Sequence, residues 1–334
     1  MRKITIQSMC TTATENVSAT VRQIKTLERA GCDLVRVAVP TMYAAKALKE
    51  IRCQISIPLI ADIHFSPELA IASIENDADK IRINPGNISD KTALRKIIKA
   101  AKAKNIPIRI GVNEGSLEKD LSEKYGPYSA KALALSAKRW IEFFEHEKFK
   151  NLVVSVKSSD VKTMIAANRL LKKFCKYPIH LGVTESGTLE TGTIKSAIGI
   201  GALLAEGIGD TIRVSLSADP IHEVRVAKKI LDSLDLIKLP LRIIACPTCG
   251  RTKANVSELA QKLENELLPK TPTSIAVLGC GVNFAGESKG ADYAIIGTSK
   301  NKFSLYKKDQ PLIKNANFQT IFKYLNDNLS CKKR

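Results

Sequence analysis

Short runs of apolar, β-branched residues alternate along this chain with longer segments in which apolar residues recur every three to four positions. The short runs are typical of buried strands, and the longer segments are typical of amphipathic helices. A strand followed by a helix, repeated in this way, calls for a parallel sheet. The eight strands predicted are Ile4–Ser8, Asp33–Val37, Ile57–Asp62, Lys80–Ile83, Ile106–Gly111, Leu152–Val156, Ile179–Val183 and Thr211–Val214.

The helical segments have clear ends. Within Asn16–Ala30 the apolar residues share one face, and Gly31 follows where a helix commonly stops. Eight strand–helix units in about 235 residues match the size of a TIM barrel. A doubly wound open sheet is the alternative, but it expects a glycine-rich phosphate turn after the first strand, and Gln7-Ser-Met-Cys has no glycine. We therefore predict an α/β fold with a (βα)8 TIM barrel over residues 1–236.

A different pattern follows a short linker at Asp235–Pro240. Strands and helices no longer alternate regularly, which is typical of an α+β domain. We predict a smaller second domain over residues 241–334. Its strands are predicted at Arg242–Ala245, Ser274–Leu278, Tyr293–Ile296 and Lys302–Tyr306, and its helices at Val256–Leu267 and Phe318–Leu329.

The composition is sufficient for two folded domains, and the apolar segments indicate where in the cell the protein is located. With 334 residues and 44% hydrophobic content, the chain can bury a large core. The longest apolar run, Ala197–Ala205, is too short to span a bilayer, and the polar run Gln7–Glu15 occupies the place of a signal peptide's apolar core. We expect a cytoplasmic protein without membrane association. Its eight cysteines are then reduced thiols or ligands rather than disulfides.

The net charge is 52 − 33 = +19, which predicts an anionic partner. Only 5% of the residues are aromatic, so a stacking platform for single-stranded nucleic acid is not expected. Residues 241–334 hold 15 Lys/Arg and 7 Asp/Glu. The lysines at 300, 302, 307 and 308 are interpreted either as a solvated face or as a docking surface for an acidic electron carrier.

Polar residues stand at the ends of the predicted barrel strands, where the active site of a TIM barrel lies. They are Gln7, Ser8, Arg36, Asp62, His64, Arg82, Asn84, Arg109, Asn113, Lys157, Glu185, Arg213 and Ser215. Five strands end in a cation, and five cations at one mouth would repel one another unless an anion lay between them. The pattern indicates a polyanionic ligand such as a diphosphate. Taken alone, His64 is more often structural, and Glu185 is equally explained as an arginine counter-ion.

The second domain contains a candidate metal site. Cys246 and Cys249 form a Cys-Pro-Thr-Cys pair, Cys280 lies in a glycine-flanked turn, and Glu287 is the nearest carboxylate that could complete four ligands. Three thiolates and a carboxylate suit iron better than structural zinc, whose closed sites favour cysteine and histidine. A zinc knuckle or a redox dithiol at Cys246 and Cys249 is the alternative, and the separate Cys280 turn disfavours it.

Barrel geometry alone predicts that two chains share the active site. Strands point at the mouth, so the eighth helix, near Pro220–Leu234, ends at the opposite face. The six linker residues can span only about 20 Å at ~3.6 Å per residue, which is close to the length of one barrel helix. A two-fold dimer in which each second domain caps the other chain's barrel is the simplest closed solution.

These motifs together resemble the 4-hydroxy-3-methylbut-2-enyl diphosphate synthase family over nearly the whole chain. The stretches that carry the resemblance are Val35-Arg-Val-Ala-Val-Pro-Thr-Met42, Ala61-Asp-Ile-His-Phe65, Arg82-Ile-Asn-Pro-Gly-Asn-Ile88, Pro107-Ile-Arg-Ile-Gly-Val-Asn113, Gly115-Ser-Leu-Glu-Lys-Asp120, Val154-Ser-Val-Lys-Ser158, His180-Leu-Gly-Val-Thr-Glu185, Lys195-Ser-Ala-Ile-Gly199, Gly207-Ile-Gly-Asp-Thr-Ile-Arg-Val-Ser215 and Ala245-Cys-Pro-Thr-Cys249.

The resemblance implies a dihydropteroate-synthase-like TIM barrel joined to a cluster domain like those of sulfite and nitrite reductases. It implies reductive opening of 2-C-methyl-D-erythritol 2,4-cyclodiphosphate in isoprenoid biosynthesis, with electrons from a flavodoxin or ferredoxin and loss of water. It also implies a head-to-tail homodimer. The resemblance implies that a [4Fe–4S] cluster is held by Cys246, Cys249, Cys280 and Glu287, and that Glu287 also takes part in the reaction. It implies that the diphosphate is contacted by Arg36, Arg82, Arg109, Asn113, Lys157, Arg213 and Ser215. It places Asp62, His64 and Glu185 near the reacting carbons.

Two other functions fit the residues alone. One is a pterin- or corrinoid-type methyltransferase barrel with a structural metal domain. The other is a basic RNA-binding protein with a zinc module. A redox-active iron centre would separate the predicted enzyme from both.

Overall fold

The computed structural model of this protein describes residues 3–88, 90–282 and 284–330, and for Glu287 it describes the backbone only. The chain divides into two compact units, Met1–Ile237 and Lys238–Arg334. Within the described residues, no helix is both long enough and apolar enough to cross a membrane.

The first unit is a parallel barrel. Its strands are β1 Thr5–Met9, β2 Leu34–Ala38, β3 Leu59–Ile63, β4 Lys80–Ile83, β5 Ile108–Asn113, β6 Leu152–Lys157, β7 His180–Leu181 and β8 Thr211–Ile212. The sheet order is β6-β5-β4-β3-β2-β1-β8-β7, and a parallel bridge between Val154 and Ile179 brings the two outer strands together. The TIM-barrel prediction is confirmed.

Helices connect these strands and surround the barrel. Most begin at a polar cap: the Asn16 side chain accepts a hydrogen bond from the Ala19 amide at the start of the first helix, and Gly31 ends that helix with φ 101°. The helices are α1 Val17–Ala30, α2 Met42–Arg52, α3 Pro67–Glu75, α4 Lys91–Lys104, α5 Lys119–Tyr125, α6 Ala130–His146, α7 Val161–Lys172, α8 Leu189–Ala205 and α9 Pro220–Ser233. The short helix α5 was not predicted from the sequence.

Strand alternation separates the apolar core from the polar centre of the barrel. Along β5, Ile108, Ile110 and Val112 belong to the apolar core that the helices cover. The intervening Arg109 and Asn113 line a central cavity. Because successive side chains point to opposite faces of a strand, one strand supplies both the packing and a functional surface.

The second unit is built on a five-stranded mixed sheet. Its elements are β9 Leu241–Ala245, α10 Val256–Glu266, β10 Thr273–Leu278, α11 Phe284–Glu287, β11 Tyr293–Ser299, β12 Lys302–Lys307, β13 Gln310–Ala316 and α12 Phe318–Leu329. The sheet order is β13-β12-β11-β10-β9; β9, β10 and β11 are parallel, and β12 and β13 continue antiparallel. Strand β13 was not predicted from the sequence.

Candidate active site and cysteine cluster

A cavity of about 270 Å³ opens at the carboxyl ends of the barrel strands. All seven residues predicted to contact a diphosphate border it, together with Asp62 and His64, which the sequence predicted near the reacting carbons. Met9, Ser155 and Thr184 were not predicted and also contribute to its wall. The full lining is Met9, Arg36, Asp62, His64, Arg82, Arg109, Asn113, Ser155, Lys157, Thr184, Arg213 and Ser215.

The cations of this cavity are unusually buried for charged side chains. Arg109 is 2% exposed, and Arg82, Arg36 and Lys157 are 6%, 7% and 8% exposed. Charged side chains are rarely buried without partners, because removing a charge from water is costly. Among the lining residues, Asp62 is the carboxylate available to compensate these cations. The cavity therefore carries an excess of positive charge.

Asp62 sits at the centre of the cationic group. Its Oδ1 lies 3.2 Å from Arg82 Nη1, and its Oδ2 lies 3.8 Å from Arg36 Nε. The half-exposed His64 places Nε2 3.3 Å from Asp62 Oδ2 and 3.4 Å from Arg82 Nη1. The carboxylate thus links two buried arginines to a histidine that reaches the open side of the cavity.

The titration behaviour of these groups follows from burial and mutual charge. Burial alone would raise the pKa of Asp62, but Arg36, the His64 hydrogen bond and Arg82 outweigh it and lower that pKa well below its usual range. Burial, assisted by neighbouring arginines, lowers the pKa of Arg36 to about 10 and those of Arg109 and Lys157 well below their ordinary values. Burial of an anion among these cations would favour their charged forms again.

Arg213 is held by a residue that the sequence analysis missed. Its Nε and Nη2 lie 3.3 and 3.2 Å from the Glu223 carboxylate, which is 3% exposed. Glu223 also accepts hydrogen bonds from the Ser8 hydroxyl at 2.9 Å and from the Leu216 amide at 3.1 Å. It lies in the first turn of α9, not at a strand end. The sequence feature that could have indicated Glu223 is an acidic residue at the start of a helix next to the barrel mouth.

Several buried donors in the barrel centre have no partner among the described residues. The Nε atoms of Arg82 and Arg109 and the Nε2 of Gln7 are buried and make no hydrogen bond. Arg109 Nη1 makes a long contact of 3.4 Å to Gln7 Oε1. Buried polar groups are nearly always hydrogen-bonded, so unpaired donors of this kind mark a place where a ligand or ordered water belongs. Oxyanions accept such donors.

Two glycines make room for the cations. A Cβ atom added to Gly111 would lie 2.6 Å from Arg82 Nε, and one added to Gly182 would lie 3.0 Å from Lys157 Nζ and 2.6 Å from the Arg213 carbonyl oxygen. No side chain at these positions would fit without displacing the cation or the backbone. The sequence analysis assigned no role to either glycine.

Glu185 is placed differently from the other predicted site residues. Glu185 is exposed and has a left-handed backbone with φ 50°. Its neighbour Thr184 lines the cavity, but Glu185 does not. A non-glycine residue in this conformation is uncommon and often belongs to a functional turn. Asn84 is also directed elsewhere, because its Nδ2 donates to Ser116 Oγ at 2.7 Å.

The three predicted cysteine ligands follow the carboxyl ends of two adjacent parallel strands. Ala245 of β9 pairs with Val277 of β10, so Cys246 and Cys280 emerge at the same edge of the second sheet. The Gly279 amide donates to Cys246 Sγ at 3.1 Å. For Cys249, the Arg251 backbone amide is the main cause of a lowered thiol pKa. A groove of about 330 Å³ beside Cys246 separates β9 from α10.

These features fit the chemistry of an iron–sulfur ligand set. Thiolates bind such clusters, and backbone amides that donate to the sulfur atoms are part of how proteins tune them. Within the part of the chain that the structure describes, no three His, Cys, Asp or Glu side chains are gathered as a ready metal site. The Glu287 side chain, the fourth predicted ligand, lies outside the described residues, and its backbone ends the short helix α11.

Family models match both units. The "GcpE TIM-barrel domain" matches residues 1–228, and the "GcpE protein C-terminal domain" matches residues 242–330. The chain belongs to the GcpE family. The resemblance found in the sequence is confirmed.

Relatives of this chain carry the name "4-hydroxy-3-methylbut-2-en-1-yl diphosphate synthase (flavodoxin)". One from Caldanaerobacter subterraneus subsp. tengcongensis is 54% identical over 295 residues, which cover 88% of this chain and 83% of the relative. Another from Fusobacterium nucleatum is 51% identical over 311 residues, covering 91% and 88% of the two chains.

Solved structures of dihydropteroate synthase share the barrel fold. The enzyme from Stenotrophomonas maltophilia superposes with a TM-score of 0.52 at 14% identity, covering 71% of this chain and 95% of that chain. The enzyme from Coxiella burnetii gives 0.51 at 10% identity with the same coverage. At such identities the similarity concerns the fold alone.

Proposed function

We propose that this protein converts 2-C-methyl-D-erythritol 2,4-cyclodiphosphate to 4-hydroxy-3-methylbut-2-enyl diphosphate in isoprenoid biosynthesis. Two electrons and two protons enter, a ring C–O bond breaks, and one water leaves. The observation that carries the proposal is the group of buried cations with unpaired donors around one cavity, in a chain that belongs to the GcpE family. Relatives that share about half of its residues are named for this product.

The cations bind the diphosphate in this proposal. Arg36, Arg82, Arg109, Lys157 and Arg213 face one cavity with fewer carboxylates than cations. Charge-assisted contacts to phosphate oxygens would satisfy the unpaired Nε donors and restore charge balance. Asn113 and Ser215, which line the same cavity, add neutral hydrogen bonds to the diphosphate. The ligand remains held by these contacts while its ring opens.

Asp62 and His64 act near the reacting carbons. Asp62 stays ionised, because its pKa is held well below its usual range, and it fixes Arg36 and Arg82 in the cavity wall. His64 contacts both Asp62 and Arg82 and is half exposed. It is therefore suited to pass a proton toward the departing oxygen. The resemblance also assigns Glu185 to the reacting carbons, although its exposed side chain lies outside the lining of the cavity.

A [4Fe–4S] cluster held by Cys246, Cys249, Cys280 and Glu287 supplies the electrons when bound. The support comes from the donor types and from the Gly279 amide directed at Cys246 Sγ. A carboxylate binds iron less tightly than a thiolate does, so Glu287 is the exchangeable ligand. The electron donor is a flavodoxin, as in the names of the relatives, or a ferredoxin. A cytoplasmic location accords with such a donor.

The enzyme works as a head-to-tail homodimer in this proposal. Helix α9 returns from the mouth to the opposite end of the barrel, and only a few residues separate Ser233 from β9. Helix α8 is apolar on its outer face as well: Ile194 and Ile198 are 56% and 54% exposed. Exposed apolar side chains on one helix face favour a protein contact, and a second copy of the chain would cover them.

Anaerobic turnover tests the proposed reaction directly. The purified, iron-loaded enzyme is incubated with the cyclic diphosphate and dithionite, and the linear diphosphate product is quantified. Product formation by a brown protein that bleaches with dithionite is expected. A colourless protein with stoichiometric zinc and no product would overturn the proposal.

Mixing two inactive variants tests the dimer. Arg109→Ala damages the barrel and Cys246→Ser damages the cluster unit, so mixed dimers regain one intact site out of two. Recovery of activity after subunit exchange is expected. Proven exchange without recovery would place both halves of the site on one chain.

A further inference from the structure

The cysteine edge of the second sheet is defined here as the edge at which β9, β10 and β11 end. These three strands are parallel, so their carboxyl ends meet there. Cys246 follows β9, and Cys280 follows β10. Strand β11 continues through Ser299 into a turn that contains Lys300, and Lys302 begins β12 directly after that turn, paired with Ser299. Two of the lysines noted in the sequence therefore lie at the same edge as the thiols.

The lysine turn is close to the cysteine turns. An added Cβ at Gly297 of β11 would lie 2.8 Å from the Gly279 carbonyl oxygen, so β11 packs directly against the turn that carries Cys280. Neighbouring strands lie about 4.8 Å apart, and β10 lies between β9 and β11. Cys246, at the end of β9, is therefore about 10 Å from the axis of β11 in the direction across the sheet. Ser299 lies three residues beyond Ile296, so the turn projects roughly 10 Å past the end of β10.

A second pair of cations borders the same thiols. Arg251 and Lys253 lie in the loop after Cys249, and the Lys253 amide donates to the Gly279 carbonyl at 2.9 Å. All four cations are exposed, and no described carboxylate forms an ion pair with any of them. Glu258, in the first turn of α10, is an acidic residue at this edge, and it accepts a hydrogen bond from Asn255.

The opposite edge of the sheet has a mixed charge. The turn between β12 and β13 carries Lys308 next to Asp309, and Lys270 lies just before β10. Asp292, just before β11, binds Ser274 at that edge. The cysteine edge therefore carries four exposed cations, whereas the opposite edge, which also holds Lys307, mixes its lysines with Asp292 and Asp309. A neutralised edge would not attract a charged partner at long range.

We propose that Lys300 and Lys302, flanked by Arg251 and Lys253, are the docking surface for an acidic electron-carrying protein. This inference rests on the proposed function and assigns the surface that its electron donor uses. An acidic face on the donor would be attracted to this edge and oriented by it, which raises the association rate more than it tightens the final complex.

Charge reversal with a matched control tests the assignment. Lys300→Glu/Lys302→Glu changes the docking surface, and Lys270→Glu/Lys308→Glu makes the same change in net charge at the opposite edge. Among the described residues, neither control side chain forms a hydrogen bond or an ion pair. Binding of oxidised flavodoxin is measured by calorimetry at low salt, and turnover is measured with reduced flavodoxin and, separately, with dithionite.

The docking variant should bind flavodoxin at least tenfold more weakly and lose about tenfold in kcat/KM for flavodoxin, while the control variant changes less than twofold. The deficit in kcat/KM should shrink at high salt, because exposed charges are then screened. Turnover with dithionite should be unchanged in both variants. Two results would overturn the assignment. One is a docking variant that binds flavodoxin as tightly as the unmodified protein does. The other is an equal loss of flavodoxin affinity in both variants, which would indicate attraction by net charge alone.

A failure of the proposed reaction would give a different result. The unmodified protein would then make no product with dithionite, although the binding comparison between the two variants would still test the surface. The two hypotheses are therefore separated by one set of measurements.

Discussion

Asp62→Asn tests whether the cavity is built to bind an anion. The substitution keeps the shape of the side chain but removes the carboxylate that lies 3.2 Å from Arg82 and 3.8 Å from Arg36. At an effective dielectric constant of about 20, each contact corresponds to roughly 4–5 kcal/mol of Coulomb energy, part of which desolvation offsets. Removing one partner of a buried ion pair typically costs about 3–5 kcal/mol. We therefore expect the ligand-free variant to melt roughly 10 °C lower.

Pyrophosphate should reverse this loss. Asp62 repels an anion in the cavity, and a unit charge about 8 Å away contributes roughly 2 kcal/mol of repulsion. The variant should therefore bind pyrophosphate about tenfold more tightly or better, and pyrophosphate should raise its melting temperature more than that of the unmodified protein. Thermal melts with and without pyrophosphate measure both effects. Asp120→Asn, which breaks the exposed pair with Arg139, is the control and should leave the melting temperature nearly unchanged, because exposed ion pairs contribute little to stability.

Two results would refute this reasoning. One is a ligand-free Asp62→Asn protein as stable as the unmodified protein, and the other is a destabilised variant that pyrophosphate does not rescue. The pH dependence gives an independent check. Because the pKa of Asp62 is lowered in the folded state, its contribution is fully present above about pH 4 and is lost as the pH falls toward the lowered pKa. The variant should lack this acid-sensitive contribution.

Three further substitutions test other parts of the proposed site. Lys157→Ala should lower kcat/KM for the cyclic diphosphate by roughly tenfold to 100-fold, the cost of a lost charge-assisted contact of about 1.5–3 kcal/mol; unchanged kinetics would exclude this lysine from substrate binding. Glu223→Gln frees Arg213 from its ion pair and should lower kcat/KM at least about tenfold, and normal kinetics in a folded variant would contradict an orienting role. Glu287→Ala should retain much of the iron, measured by absorbance and metal analysis, but turn over poorly, whereas full activity would remove Glu287 from the mechanism.

Much of the fold could be predicted because strand and helix periodicity are strong in this chain. The boundaries of β4 and α12 agree with the predicted Lys80–Ile83 and Phe318–Leu329. Strands β7 and β8 contain two residues each, although the apolar runs at 179–183 and 211–214 predicted longer strands. The apolar residues beyond them are buried in the core without regular strand pairing.

The missed strand β13 shows where periodicity fails. Its segment contains Pro311, Lys314 and Asn315, and most of its residues are exposed on both faces. An edge strand needs no buried face and tolerates proline, so neither apolar alternation nor β-propensity marks it. Its position comes from pairing with β12, where the register is irregular. That pairing is a tertiary interaction, which local sequence does not encode.

The cavity residues could be predicted from their position at strand ends, since the barrel geometry brings those ends together. Their roles remain predictions. The residues that support the cations could not be found in the same way. Glu223 acts from a helix, and Gly111 and Gly182 matter through the space they leave. Both effects depend on distances between segments far apart in sequence.

The closure of the barrel is uneven. Strands β5 and β6 pair over six positions, from Ile108 with Leu152 to Asn113 with Lys157. Among the described residues, the seam between β6 and β7 has one bridge, between Val154 and Ile179, and one further backbone hydrogen bond, from the Thr184 amide to the Ser158 carbonyl. Segments with few backbone hydrogen bonds open locally more often than segments with many. Amides beside this seam should therefore exchange with solvent deuterium earlier than those of β5. The side of the cavity that carries Thr184 and Arg213 would then move first when a bulky diphosphate enters. The side formed by β5, which carries Arg109, would stay fixed.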